Sequence, residues 1–400
     1  MKKIFVRGPV LTQSGYGEQS RFALRALRSR PDLFDVYIQP TGWGNCGWIW
    51  QDTEFRRWMD EKITETQIKL QQKELLPDIS LQVTIPNEFQ RLAPINIGYT
   101  AGIETDRCSL EWLQKGNQMD RILVVSNHSK SSYAGTTPKA TNPETGEELV
   151  YRLETPVDVV WENTPRAEPE EISELKLDYD KNLLMVSQLG PRKNFENTIA
   201  CFVEEFINEE VGLIVKTNFG GNSIGDFNKI ENHLKHVLSN FEDRKCKVYL
   251  LHGDLTPGQL TWLYSNPSVV GLVNAAHGEG FGLPMFEAAR EALPVATIAW
   301  SGQLDFLHDD GKDYFHSIDY NLQPVQQNAR WANVIEPDSM WAYPDRKSIR
   351  RKMRALFTGN RDDAKELQKI ILNKFSDEVL YKLFCEKINS VEESNNKGEQ

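Results

Sequence analysis

Two glutamates, Glu279 and Glu287, bracket a glycine-rich run, His277-Gly278-Glu279-Gly280-Phe281-Gly282-Leu283-Pro284-Met285-Phe286-Glu287. The run follows an apolar stretch ending at Val273-Asn274, which reads as a buried strand, and it leads into a helical pattern. A glycine loop that opens a helix presents unpaired backbone N–H groups at the positive end of the helix dipole, which suits a diphosphate. The carboxylate before the helix, Glu279, can reach sugar hydroxyls. The one inside its first turns, Glu287, can accept both hydrogen bonds of a ribose diol. The plain alternative is a tight strand-to-helix turn with two surface glutamates.

Further loops follow apolar runs, the place where α/β sheets bind ligands. Ser187-Gln188-Leu189-Gly190-Pro191-Arg192-Lys193-Asn194 carries two cations. Arg192 and Lys193 are the residue types that neutralise a leaving nucleotide when no metal does so; a basic surface turn is the alternative, most of all for Arg192. After the first strand, Ser14-Gly15-Tyr16-Gly17 is a lone Gly-x-Gly, a weak signal because glycine also serves turns. Ser20 stands where a dinucleotide-binding Gly-x-Gly-x-x-Gly needs glycine, which counts against an NAD enzyme. Tyr99–Arg107 holds Glu104 and Asp106. Glu104 can orient an acceptor hydroxyl or the donor sugar, or it can cap a helix. Asn127 and His128 fill the next strand-end loop, as cleft residues or as a polar cap, and Lys216 and Gly253 close two later strands.

The gapless match from Glu279 to Glu287 resembles the Glu-x7-Glu signature of family 4 retaining glycosyltransferases, Glu-Gly-Phe-Gly-Leu-Pro-x-x-Glu. The resemblance covers most of the chain and is strongest over about 180–310. It implies an α/β chain of GT-B fold, two Rossmann-like doubly wound domains facing across a cleft. It places Glu279 at the donor sugar and Glu287 at the nucleotide ribose, with Gly280, Phe281, Gly282 and Leu283 by the phosphates. Lys193 matches the family lysine. The family arginine falls at Ser187 and Gln188 here, and Arg192 is the substitute. Gly15, Tyr16 and Gly17 face the phosphates and the acceptor, Gly253 meets the base through its backbone, and Lys216 helps around the donor. Many relatives place a histidine where this chain has Glu104 and Asp106; the Tyr99–Arg107 run resembles a branch that includes phage and bacterial enzymes. Such relatives are metal-independent. The implied activity is sugar transfer from a nucleotide-diphosphate sugar, UDP-sugar favoured, with retention, with Glu279, Lys193, Arg192 and Glu104 at the chemistry. No metal and no cofactor beyond this co-substrate are expected.

The acceptor is open between a saccharide of a surface polysaccharide or lipopolysaccharide and a hydroxymethylated pyrimidine in phage DNA. Arg346, Lys347, Arg350, Arg351, Lys352 and Arg354 form either a phosphate-tracking helix face or a solvated one. Trp43, Trp48 and Trp50, in a glycine-rich loop, stack on sugars or bases, or join a core. A GT-B scaffold that binds sugar nucleotide without catalysis is the reading from another class; the intact Glu279, Glu287 and Lys193 weigh against it.

The elements that must position these residues are legible as short apolar runs: Lys3–Val6, Val36–Ile38, Ile95–Tyr99, Ile122–Val125, Val157–Val160, Leu183–Val186, Gly212–Val215, Val248–Leu251, Val269–Val273 and Pro294–Ile298. Without strict alternation, they suit strands covered on both faces of a parallel sheet. A polar, proline-bearing linker near 161–171 separates a first domain, about 1–165, from a second, about 175–375. A helical stretch runs near 361–390 and a polar tail over 394–400; the C-terminal helix and tail, 376–400, are expected to return toward the first domain. Trp50–Glu74 reads as a charged helix and Lys139–Arg152 as a hairpin.

With 40% hydrophobic and 26% charged residues, the chain has the make-up of an ordinary globular protein. A net charge of -11 disfavours a protein that coats nucleic acid all over, though not a local basic groove. No apolar stretch approaches the roughly 18 residues of a membrane span. Five scattered cysteines with no CxxC pair point to a reducing cytoplasm, a host's if the chain is phage-encoded.

Overall fold

A computed structural model describes residues 1–141, 146 and 148–391. The chain divides into two compact units. The first comprises Met1–Asn163, Arg330–Ser339 and the chain from Ser376 onward; the second comprises Thr164–Ala329 and Met340–Phe375.

In the first unit, β1 (Lys2–Gly8), β2 (Phe34–Pro40), β3 (Ile79–Val83), β4 (Ile95–Thr100) and β5 (Arg121–Val124) alternate with helices α1 (Gly15–Arg28), α2 (Glu54–Gln72), α3 (Leu110–Gly116) and α4 (Asn127–Gly135). A hairpin of β6 (Lys139–Thr141) and β7 (Glu148–Val150) precedes β8 (Val157–Val159). The sheet order is β2-β1-β3-β4-β5-β8, and every pairing in it is parallel. Ile4 and Val6 are wholly buried, as strands covered on both faces require. β3 escapes the apolar-run reading because Ser80 and Gln82 interrupt it. Both are buried and satisfied: Ser80 Oγ donates to Asn96 Oδ1 at 2.8 Å, and Gln82 Oε1 accepts the Gln90 N–H at 3.0 Å. The expected hairpin pairs antiparallel as read, Lys139 opposite Val150; its turn, like the expected polar tail at 394–400, lies outside the described residues.

The second unit contains β9 (Asn182–Val186), β10 (Gly212–Thr217), β11 (Lys247–His252), β12 (Val269–Asn274) and β13 (Val295–Ile298), followed by a short pair, β14 (His308–Asp309) and β15 (Lys312–Asp313). Then come β16 (His316–Ile318) and the antiparallel pair β17 (Tyr320–Pro324) and β18 (Met340–Pro344). Its main sheet runs β11-β10-β9-β12-β13-β16, again all parallel, the order of a dinucleotide-binding doubly wound sheet. Helices α5 (Phe195–Phe206), α6 (Ile224–Leu238), α7 (Pro257–Ser265), α8 (Leu283–Arg290), α9 (Leu304–Leu307), α10 (Arg346–Thr358) and α11 (Asp362–Lys374) accompany it. Strand residues Leu183, Leu213, Val215 and Val273 form one core with Phe195, Phe202 and Phe206 of α5 and Ile349, Met353 and Leu356 of α10.

Two expectations change. The helical stretch near 361–390 is two helices, α11 and α12 (Asp377–Asn389), because Ser376 caps a new start by accepting the Val379 N–H. α12 belongs to the first unit, where Phe384 meets Phe22 edge-on at 5.8 Å. The basic run on α10 is not a bare phosphate-tracking face. Arg346 pairs with Glu204 (2.5 Å), Arg350 with Glu205 (3.2 Å), Arg354 with Glu205 and Glu209 (2.9 and 2.6 Å), and Arg351 with Asp319 (2.9 Å). The shared face of 346, 350 and 354 docks α5 instead. Among the described residues no helix is long and apolar enough to cross a membrane.

Candidate functional site

β9 and β12 are neighbours whose following connections leave in opposite directions across the sheet, and a crevice at such a switch point is where doubly wound sheets bind ligands. Their two exit loops are fastened together. Asn194, in the left-handed region at φ 50, donates its Nδ2 to Ala275 O at 3.0 Å, and the His277 N–H donates to Arg192 O at 2.9 Å. His277 Nδ1 donates to Ala342 O at 2.7 Å, and its ring stacks on Trp341 at 4.9 Å. Burial pushes the His277 pKa down, so this ring is a neutral bracket for the loop.

Three side chains converge on Glu279. Lys193 Nζ donates to both carboxylate oxygens at 2.6 and 2.8 Å, Arg192 Nη1 to Oε2 at 2.8 Å and to Gly278 O at 2.7 Å, and Asn274 Nδ2 to Oε1 at 3.2 Å. Burial alone would raise this carboxyl, which is 6% exposed; the Lys193 and Arg192 charges outweigh it and hold the pKa at about 2. Its backbone is fixed as well. The Glu279 N–H donates to Ser301 Oγ at 2.8 Å, and the Gly302 N–H donates to Glu279 O at 2.9 Å. Ser301 itself stands at φ 78, a strained backbone for serine, while its hydroxyl donates to Gln303 Oε1 at 2.8 Å.

The loop ends at Gly282, φ 97, where a side chain is disfavoured and a Cβ would lie 2.7 Å from Met285 Cε. Helix α8 starts there with Pro284 in its first turn and no side-chain cap. Its first amides, with those of Phe281 and Gly282, form the kind of N-terminus that takes phosphate. One turn in, Glu287 Oε2 accepts a hydrogen bond from Tyr264 OH at 3.0 Å. Burial, then the Glu287 charge, drives the Tyr264 pKa well up, so its proton stays in that bond. Lys216, near the end of β10, feels the same carboxylate: burial lowers its pKa, opposed by Asp254 and Glu287. Gly253, φ 97, follows β11 and donates its N–H to Thr217 O at 3.4 Å.

The other sequence candidates belong to the first unit. Gly15 opens α1, and Ser14 caps it by accepting the Gly17 N–H at 3.0 Å. A Cβ on Gly17 would fall 2.1 Å from Thr12 O, so glycine there answers a close backbone approach. Tyr16 is 8% exposed, and its hydroxyl is hydrogen-bonded to Thr100 Oγ1 at 2.8 Å, a packed residue more than an open contact. Glu104 is half-buried in the loop after β4, and its charge is among those raising the Tyr16 pKa, after burial. The side-chain cap of α3 is Ser109. Asp106 pairs with Arg107 at 3.1 Å. His128 Nε2 donates to Thr105 O at 3.1 Å, with a pKa pushed by burial to about 4. Asn127 opens α4 behind the cap Ser126.

The structure therefore brings Glu279, Arg192 and Lys193 into direct contact, with Glu287 and Lys216 around the same edge of the second unit. Glu104, Gly15, Tyr16 and Gly17 stand in the first. Sequence reasoning missed Asn274 and Tyr264 as partners of the two glutamates, and Ser301 as the hydroxyl that holds the Glu279 backbone. Asn274 alone carried a signal, a polar residue closing a buried strand.

No protein-family model matches the sequence, and none of the curated proteins matches it. Solved structures do. HepE of Anabaena, in complex with UDP and glucose, superposes with a TM-score of 0.62 at 12% identity, covering 98% of this chain and all of its own. Sucrose-phosphate synthase from Thermosynechococcus elongatus gives 0.61 at 13% identity over 98% of this chain and 100% of that one. A glycosyltransferase from Rickettsia africae gives 0.61 at 11% identity over 98% of each. At such identities the likeness is one of fold, and the fold is GT-B: two Rossmann-like α/β units with six parallel strands each.

Proposed function

We propose that this chain is a glycosyltransferase that takes a nucleotide-diphosphate sugar in its second unit and transfers the sugar to an acceptor hydroxyl. One observation carries the reading. Two cations and a buried carboxylate meet at the β9/β12 switch point, beside a helix start without a side-chain cap. The diphosphate goes to the helix start, Arg192 and Lys193; Glu279 accepts sugar hydroxyls; Glu287, held by Tyr264, takes the ribose diol. UDP is the favoured nucleotide, since HepE holds UDP and a trehalose-6-phosphate protein of E. coli holds UDP-2-fluoro glucose on the same fold.

Retention is the favoured course. The bond from the anomeric carbon to the phosphate oxygen breaks, the acceptor oxygen bonds on the same face, and its proton passes to the departing phosphate. Lys193, Arg192 and the Phe281–Leu283 amides stabilise that leaving group. Inversion needs a base on the opposite face instead, and Glu104 is the rival for that role. For a DNA acceptor the α10 helix offers less open charge than its sequence suggests, because Arg346, Arg350, Arg351 and Arg354 are in ion pairs with Glu204, Glu205, Asp319 and Glu209.

A mass-spectrometric screen of UDP-sugars against free oligosaccharides and hydroxymethylated DNA tests the proposal. The expected result is one acceptor gaining a glycosyl mass with release of UDP. Proton NMR of the new linkage then reads retention or inversion. Nucleotide binding without transfer to any acceptor would favour the inactive scaffold; no nucleotide binding at all would overturn the donor site.

A further inference from the structure

We infer that the 41–51 loop of the first unit is the acceptor platform and that its acceptor is a neutral saccharide; this rests on the glycosyltransferase reading. The loop is fastened along the β1–α1 connection that carries Ser14 and Gly15. The Gln13 N–H donates to Gly47 O at 2.7 Å and the Ile49 N–H to Leu11 O at 2.8 Å, with Thr12 bridged to Trp48. Trp43 packs on Tyr16 at 4.2 Å between ring centroids, and Tyr16 reaches Thr100 at the end of β4. The loop thus sits at the edge where this sheet's strands end, the edge that binds ligands in doubly wound sheets.

On that fixed frame Trp48 and Trp50 stay 61% and 70% exposed. Two large apolar surfaces held out by a well-bonded loop favour a partner that covers them. The glycines agree. A Cβ on Gly15 or Gly42 would meet nothing within 4 Å, and neither has a positive φ. Nothing inside the fold asks for glycine at either place; the bare backbone leaves room beside the aromatic rings.

Charge selects the class of partner. The cations around the loop are engaged: Arg56 with Asp60 at 3.0 Å, Arg57 with Asp52 at 2.7 Å and Arg28 with Glu54 at 2.6 Å. A polyanion would have to break these pairs in a chain of net charge -11. A pyranose ring needs none of them. Its C–H face lies on an indole, and its hydroxyls take backbone groups and water.

The test starts with calorimetry of UDP on the wild-type protein, which decides the donor reading by itself. Tryptophan fluorescence is then titrated with neutral gluco-, galacto- and manno-oligosaccharides and with a duplex containing 5-hydroxymethylcytosine, at several salt concentrations. The platform is supported if a saccharide binds with little salt dependence. Trp48→Ala and Trp50→Ala should then each weaken it about tenfold, and Gly42→Leu, which fills the open space, should weaken it too. It is overturned if UDP binds but no saccharide does, or if only the duplex binds, with a steep salt slope. It is equally overturned if a saccharide accepts sugar with a KM that none of the three substitutions moves.

Discussion

Lys193 and Arg192 both aim their charge at Glu279, so a diphosphate arriving there competes with that carboxylate for them. We expect Lys193→Ala to weaken UDP binding by roughly 1.5–3 kcal/mol, the range of a charge-assisted hydrogen bond. An unchanged Kd in calorimetry would take Lys193 out of the site. Two buried acids have opposite linkage. Glu279, at about 2, contributes stability that is present above its unfolded value and is lost as pH falls through 2. Glu162 is pushed up to about 8 by burial, then by Glu18, with Arg25 opposing, and its Oε2 is among the buried atoms lacking a partner. Its neutral form is the one that fits, so its contribution is full below the unfolded value and disappears as pH rises through 8. Glu162→Gln keeps the neutral shape at every pH. Its melting temperature should therefore gain several degrees on the wild type between pH 5 and pH 9; a difference independent of pH would show that Glu162 does not titrate in this window.

At the scale of elements, the two glycines that open α1 do different work. Gly17→Ala forces a Cβ against Thr12 O and should cost about 1–3 kcal/mol, an overpacking penalty, seen as a lower urea midpoint. Gly15→Ala meets nothing and should leave that midpoint almost unmoved; equal losses would contradict the packing account. The difference could not be read from the sequence, since Gly-x-Gly looks alike whether it serves a turn, a ligand or a close approach. The parallel strands could be read, because burial on both faces leaves unbroken runs such as Leu183–Val186. β3 could not, because Ser80 and Gln82 find partners only in the folded sheet. The arginine spacing on α10 was visible, but most of its acidic partners lie some 140 positions away, Glu204 and Glu205 on α5 and Glu209 just beyond its end. The donor loops were legible because strand, glycine loop and helix are contiguous there; Tyr264 was not, because tertiary packing alone carries it to Glu287.

For the whole molecule, Lys193, Arg192 and the α8 amides of the second unit are proposed to neutralise the diphosphate without a divalent ion. Transfer should therefore continue in excess EDTA. Loss of turnover that magnesium or manganese restores would reveal a metal in the reaction. The most direct measurement is isothermal titration of UDP into wild-type protein and Glu287→Ala, in EDTA. The expected result is a single site on the wild type, and an affinity lowered about ten- to a hundredfold when the carboxylate that grips the ribose is removed. Equal affinities, or no binding of UDP by the wild type, would contradict the donor site at its centre.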